Sequence, residues 1–132
     1  NNEKPIIFGD GLITRDFFFV KDTARALAGL IGNPNINHKT FNIGTGVEYT
    51  MKDLLLKVLE LMDKQELGLE YLADRPADVP RLWVKADKFY NATNFKANYS
   101  FENGLKETIQ YYIDLSSKKD LIKDIKINNW EK

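Results

Sequence analysis

Four short stretches hold the residues best suited to chemistry. Asp74-Arg75-Pro76-Ala77-Asp78-Val79-Pro80-Arg81 places two arginines and a central aspartate in a segment stiffened by two prolines, which lowers the cost of ordering it. Arg75 and Arg81 carry planar guanidinium forks that match phosphate oxygens, and Asp78 is an acceptor for sugar hydroxyls. On chemistry alone, a solvated charged loop is the simpler reading. Arg15 stands at the start of an apolar run, beside Asp16. A guanidinium there can take a phosphate in bidentate fashion or pair locally with Asp16 or Asp22, and spacing does not choose between them. Gly9-Asp10-Gly11-Leu12-Ile13-Thr14 has two glycines of a dinucleotide fingerprint but leads into a strand, so a plain tight turn is expected. Gly44-Thr45-Gly46-Val47-Glu48-Tyr49 follows a strand and precedes a helix, but Tyr49 occupies the third glycine position, so a strand-to-helix turn is expected there too.

Other chemistries are excluded by count. There is no Cys, hence no disulfide, thiol nucleophile or Cys-ligated zinc. The one histidine, His38, lies in a polar stretch, so neither a two-histidine site nor a credible Ser/His/Asp set exists. The acidic residues lack metal-loop spacing. Tyr111 and Tyr112 read as helix packing residues, and Trp83 and Trp130 as anchors. Nineteen Lys+Arg balance nineteen Asp+Glu, so no net field gathers nucleic acid or an anionic membrane. No apolar run reaches the roughly 18–20 residues that span a bilayer. Asn1 to Pro5 show no signal-peptide core, and a cytoplasmic protein is expected.

The elements that must position these residues alternate. Strands are predicted at Pro5–Phe8, Asp16–Val20, Thr40–Ile43 and Glu70–Leu72. A helix begins at Asp22 as N-cap, with Ala24, Leu27, Ala28 and Ile31 at helical spacing, and stops at Gly32-Asn33-Pro34. Thr50 caps a second helix in a capping-box variant with Asp53, whose apolar face holds Met51, Leu54, Leu55, Val58, Leu59 and Met62. Residues 86–95 hold a short helix. Ser100 caps a last helix carrying Phe101, Leu105, Ile109, Tyr112 and Ile113, and a charged tail follows from Ser116. With 43% apolar and 29% charged residues this is an ordinary α/β composition, or α+β in isolation: few short strands with three main helices. The aromatic-rich strands call for cover on both faces, as in part of a larger sheet.

Taken together, these pieces resemble a family. Ile7-Phe8-Gly9-Asp10-Gly11 through Arg15-Asp16-Phe17, then Val20 and Asp22, is similar to the GDG-x-x-x-RDF-x-x-V-x-D segment of the extended short-chain dehydrogenases/reductases, the NAD-dependent nucleotide-sugar epimerases and dehydratases. Phe41-Asn42-Ile43-Gly44-Thr45-Gly46 resembles their FNIGTG turn, Arg75-Pro76-Ala77-Asp78-Val79 their RP-x-D-V loop, and Phe101-Glu102-Asn103-Gly104-Leu105 the start of their last helix. The motifs stand in family order over about residues 5–115.

The resemblance implies that Arg15 and Arg75 contact the diphosphate of a nucleotide sugar and Asp78 its ribose, with Arg81 a further substrate-binding candidate. It implies a UDP-, dTDP- or GDP-sugar as partner and NAD as cofactor of the parent enzymes, of UDP-glucose 4-epimerase or 4,6-dehydratase type. The family's G-x-x-G-x-x-G fingerprint and Tyr-x-x-x-Lys pair are absent: the fourth residues after Tyr49, Tyr71, Tyr90, Tyr99, Tyr111 and Tyr112 are Asp53, Arg75, Asn94, Asn103, Leu115 and Ser116. The chain therefore reads as a C-terminal substrate-binding portion over residues 1–115, including a late strand and helix of the cofactor-domain sheet, with a tail over 116–132. It is expected to bind no cofactor and to be inactive alone. The alternative is a non-catalytic α/β assembly module, a homo-oligomer formed through exposed sheet edges.

Overall fold

The computed structural model describes residues 3–121, so Trp130 and the apolar residues of the tail beyond Leu121 lie outside the described residues. The chain opens with β1 (Ile6–Phe8), which ends at a turn through Gly9. Gly9 has φ +75°, and a Cβ there would lie 2.1 Å from Asp74 Oδ1, so conformation and close approach both require glycine. The tight-turn reading holds. Next come β2 (Thr14–Arg15), α1 (Val20–Leu30), β3 (Tyr49–Thr50), α2 (Met51–Leu61), β4 (Glu70–Leu72), β5 (Arg81–Leu82), α3 (Asp87–Thr93) and α4 (Phe101–Ser116). This is the expected α/β class, with three main helices and α3 as a short fourth.

The ladders are brief. β1 and β4 run parallel with Ile7 opposite Tyr71. β2 is the middle strand of a second sheet, antiparallel to β3 and parallel to β5, with Arg15 opposite both Tyr49 and Leu82. Arg15 is thus fixed from both sides. Two of the predicted caps are present: Thr50 Oγ1 accepts from Asp53 N at 2.9 Å, and Ser100 Oγ accepts from Asn103 N at 3.2 Å.

Helix α1 departs from expectation. It starts at Val20 with Phe19 in the N-cap position, and Asp22 lies inside its first turn. The Asp22 carboxylate is fully buried and serves a distant segment. It accepts from Asn98 N at 2.9 Å and Tyr99 N at 2.9 Å, and pairs with Arg25 Nη1 at 2.5 Å. Burial pushes its pKa up, but the two amides and then Arg25 outweigh that and hold it below the ordinary carboxylate value.

The strand predicted over 16–20 is also corrected. Pairing is confined to Thr14–Arg15, and residues 16–19 run without a ladder. The aromatics satisfy the run by packing instead: Phe17 meets Phe101, Phe18 meets Phe95 and Phe19 meets Tyr99, with ring centroids 5.8, 6.4 and 4.5 Å apart. Gly104 allows this approach of α4, since a Cβ there would lie 3.0 Å from the Phe19 ring. Residues 40–43 likewise form no strand. Side chains of α3 hold that stretch: Lys88 Nζ donates to Thr40 O at 2.9 Å, and Tyr90 Oη to Gly44 O at 2.8 Å.

The core is small. Ile7, Ala26, Leu59, Ala86 and Phe89 are its buried apolar residues, and Phe89 packs against Phe41, Tyr90 and Phe95. Tyr111, Tyr112 and Trp83 are about half exposed, which corrects their reading as packing residues and anchor. The two tyrosines sit on the far turns of α4 and meet edge to face, with ring centroids 5.3 Å apart.

Because the buried Asp22 carboxylate accepts from two part-buried backbone amides, its loss removes that partner from both. We expect Asp22→Ala to lower unfolding free energy by about 3 kcal/mol in denaturant titration. A loss under about 0.5 kcal/mol would show that the contact is dispensable.

Candidate functional site

Three of the four predicted site residues meet at one point. Arg15 Nη1 donates to its neighbour's carbonyl, Thr14 O, at 2.7 Å and to Val79 O at 2.8 Å, which pins the 74–81 segment to β2. Its Nη2 lies 3.5 Å from Asp78 Oδ1. From the other side, Arg75 Nε and Nη2 each approach Asp78 Oδ2 at 2.9 Å. The Arg75 guanidinium carbon also stands 5.3 Å from the Phe8 ring centroid, so the end of β1 backs that side chain by a cation–π contact. The Asp78 carboxylate is therefore flanked by two guanidinium groups. Arg15 pairs with neither Asp16 nor Asp22, the local partners its spacing offered.

Arg81 is directed elsewhere. Its Nε and Nη2 form a fork on Glu48, to Oε1 at 3.1 Å and Oε2 at 2.5 Å, and Thr14 Oγ1 also donates to Glu48 Oε1 at 2.5 Å. Glu48 thus ties β5 and β2 to the residue just before β3. Arg81 and Thr14 hold the Glu48 carboxyl at about 2, well below its ordinary value of 4.5. Glu48 and Phe8 carried no signal in the sequence, because their partners are far along the chain. The three-residue spacing of Arg75 and Asp78 did allow a contact within one turn. Ala77, between them, has φ +63°, which closes that turn.

The second glycine turn is filled from within. Thr45 N and Gly46 N donate to Asp16 Oδ1 and Oδ2 at 3.0 and 2.8 Å, and Thr45 Oγ1 to Oδ1 at 2.5 Å. A Cβ on Gly44 would lie 2.1 Å from Val84 Cγ1. These amides serve a carboxylate of the chain itself, and the Gly9 turn leads into β2 instead of a helix. Neither glycine turn fits the pyrophosphate of a dinucleotide. His38 is exposed in the loop after a 3₁₀ turn. No group of acidic or histidine residues among those described could hold a metal ion. A cleft of about 580 Å³ opens between residues 16–20 and α4, walled by Phe17, Phe19, Leu54, Phe101 and Leu105. The arginine pair lies outside it. No helix among the described residues is long and apolar enough to cross a membrane.

The comparisons with known proteins show the class to which this fold belongs, the nucleotide-sugar epimerases/dehydratases. Residues 1–108 match the GDP-mannose 4,6 dehydratase family, and the chain belongs to that family within the extended short-chain dehydrogenases/reductases. It is 33% identical over 128 residues to UDP-glucuronate 4-epimerase of Thermodesulfobacterium geofontis, covering 95% of this chain and 38% of that protein. UDP-glucose 4-epimerase of Thermotoga maritima, solved with UDP-glucose, superposes with a TM-score of 0.80 at 29% identity, over 87% of this chain and 36% of that one. dTDP-glucose 4,6-dehydratase of Bacillus anthracis, solved with NAD, gives a TM-score of 0.74 at 28% identity, over 88% and 36%. The chain thus spans little more than a third of the length of these relatives, as the expectation of a partial chain requires. Nothing in the comparisons supports the assembly-module alternative.

The Glu48 tie has a pH signature. Its folded pKa is depressed, so the native state binds fewer protons than the unfolded chain as the pH falls. Its stabilisation is fully present above pH 4.5 and is lost as the pH drops through about 2. Thermal melts between those values should decline more steeply for the wild type than for Glu48→Gln. Parallel declines would show that the tie contributes nothing.

Proposed function

We propose that this chain is the nucleotide-sugar-binding part of an NAD-dependent epimerase or 4,6-dehydratase, an isomerase or lyase acting on a UDP-, dTDP- or GDP-sugar in the cytoplasm. The observation that carries this reading is the convergence of Arg15, from β2, and Arg75, from the segment after β4, on a single anionic group. Two guanidinium forks aimed at one point are suited to a diphosphate, which needs charge and direction together. In this reading Arg15 and Arg75 take the diphosphate and Asp78 accepts from the ribose hydroxyls. Arg81, committed to Glu48, contributes less.

NAD supplies a transient hydride acceptor in the parent chemistry. No described turn of this chain fits that cofactor, so no redox step is assigned to its residues. Their part is to bind and orient the nucleotide end of the substrate. Alone, the chain binds nucleotide sugar without turnover.

Calorimetric titration with UDP-glucose, dTDP-glucose and GDP-mannose should give binding to at least one of them, and none with NAD. Arg75→Ala should weaken that binding at least tenfold, and Arg81→Ala less than threefold, by about the difference between a charge-assisted fork and a distant charge. Absence of heat with all three sugars would refute the reading, as would conversion of any of them with NAD added.

A further inference from the structure

Among the described residues, His38, Asp63, Ala77 and Asn94 have positive φ without being glycine. Asn, Asp and His are enriched in the left-handed region, whereas alanine has no polar side chain to support it there. Ala77 is therefore the strained position. Residues 76–77 form a turn, with Pro76 at its second position and Ala77, at φ +63°, at its third. That is a type II arrangement, which calls for glycine at the third position. Pro76 fits a type I turn equally well, and there the third residue has the negative φ that alanine prefers. The two forms differ by a flip of the peptide that joins Pro76 to Ala77.

The flip is unobstructed where it occurs and restrained from outside. Pro76 and Ala77 are exposed, and among the described residues no hydrogen bond engages Pro76 O or Ala77 N. Arg15 Nη1 donates to Val79 O at 2.8 Å and Thr14 N to Pro80 O at 2.9 Å, so the segment is anchored to β2 from Val79 onward. Arg75 Nε and Nη2 reach across the turn to Asp78 Oδ2 at 2.9 Å and close it. The opposing effects are similar in size. The left-handed position costs an alanine a factor of about five to thirty in population. An exposed ion pair favours its closed form by up to about fivefold. Asp78 has a second cation in Arg15, whose Nη2 lies 3.5 Å away. Loss of one partner is then enough to tip the turn.

We infer that the Pro76–Ala77 peptide is a two-position switch, held in its strained form by the Arg75–Asp78 pair and released by an anionic ligand that takes Arg75. The closed form commits two Arg75 nitrogens to Asp78, so a phosphate binds the released form better, and this difference is what shifts the turn. Apparent affinity then depends on how much of the free chain is already released. Strain stored at Ala77 raises that population and so favours binding. The trigger rests on the proposed assignment of Arg75 to substrate phosphate, and the strained turn does not.

The test is the nuclear Overhauser effect between Pro76 Hα and the amide proton of residue 77, which lie close together in the type II form and apart in the type I form. It is read on the full chain, free and then saturated with pyrophosphate or UDP. The signal should be strong in the free wild type and fall at saturation. Asp78→Ala should lower it with no ligand present. Ala77→Gly has no penalty at positive φ, so it should hold the strong signal and bind pyrophosphate about three- to tenfold more weakly than the wild type. Circular dichroism checks the fold of both variants. A signal already weak in the free chain overturns the inference, as does one that stays strong in Asp78→Ala. A signal that stays strong in the ligand-saturated wild type overturns it too and leaves the nucleotide-sugar reading intact. So does equal or tighter pyrophosphate binding by Ala77→Gly. If neither ligand binds, the switch falls with its trigger, and titration with the three nucleotide sugars decides that reading separately.

Discussion

A carboxylate carried into a protein interior costs several kcal/mol unless every lone pair it needs is met. Asp22 meets that condition with two backbone amides and one guanidinium, and the geometry of the chain follows from how it does so. Its partners, Asn98 and Tyr99, immediately precede α4. Fixing them sets where α4 begins, and that places Ser100 to cap the helix and Gly104 to lie against Phe19. Phe17, Phe18 and Phe19 then find their ring partners in the same region. The stretch 17–19, which continues from β2, is thus held by ring packing without a strand ladder. Arg15, the last residue of β2, is fixed by its pairing with β3 and β5 on either side.

Other carboxylates act in the same way across a chain whose strands are only two or three residues long. Asp16 gathers the Gly44–Gly46 turn, and Glu48 gathers β2 and β5. A ladder of two residues gives few hydrogen bonds, so its register is weakly specified. Side-chain ties from distant segments supply what the ladders lack. Each exposed tie is worth little by itself. Several that share the same short strands restrict one another, and this is how the 74–81 segment comes to be held beside β2 without being part of a broad sheet.

The capped helices, the β1 and β4 strands and the glycine turns were legible because their causes are local. Thr50 and Ser100 bond amides three residues away, and Gly9 answers to its own φ. Asp22 was misread for the opposite reason. It has the chemistry of an N-cap, but its oxygens are claimed by amides at Asn98 and Tyr99. The aromatic run at 17–19 fits a strand on propensity, yet propensity records a preference for half-buried surfaces and says nothing of pairing. Tyr111 and Tyr112 read as packing residues and Trp83 as an anchor because large apolar surface favours burial, yet each is about half exposed. Of the site, the residue types were legible and the sharing of Asp78 by two arginines was not. That sharing depends on Arg15 and Val79 meeting across the width of the fold.

Two arginine–carboxylate sets touch β2, and their geometries differ. In the Glu48 pair every close donor is matched: a fork on two oxygens and a hydroxyl on one of them. Opening it would free a carboxylate and an arginine with no better partner in reach, so it resists exchange. In the Asp78 set one carboxylate serves two cations, one at hydrogen-bond distance and one beyond it. The geometry thus leaves Arg81 to hold β5 beside β2 through Glu48, while Asp78 gathers the 74–81 segment through two arginines.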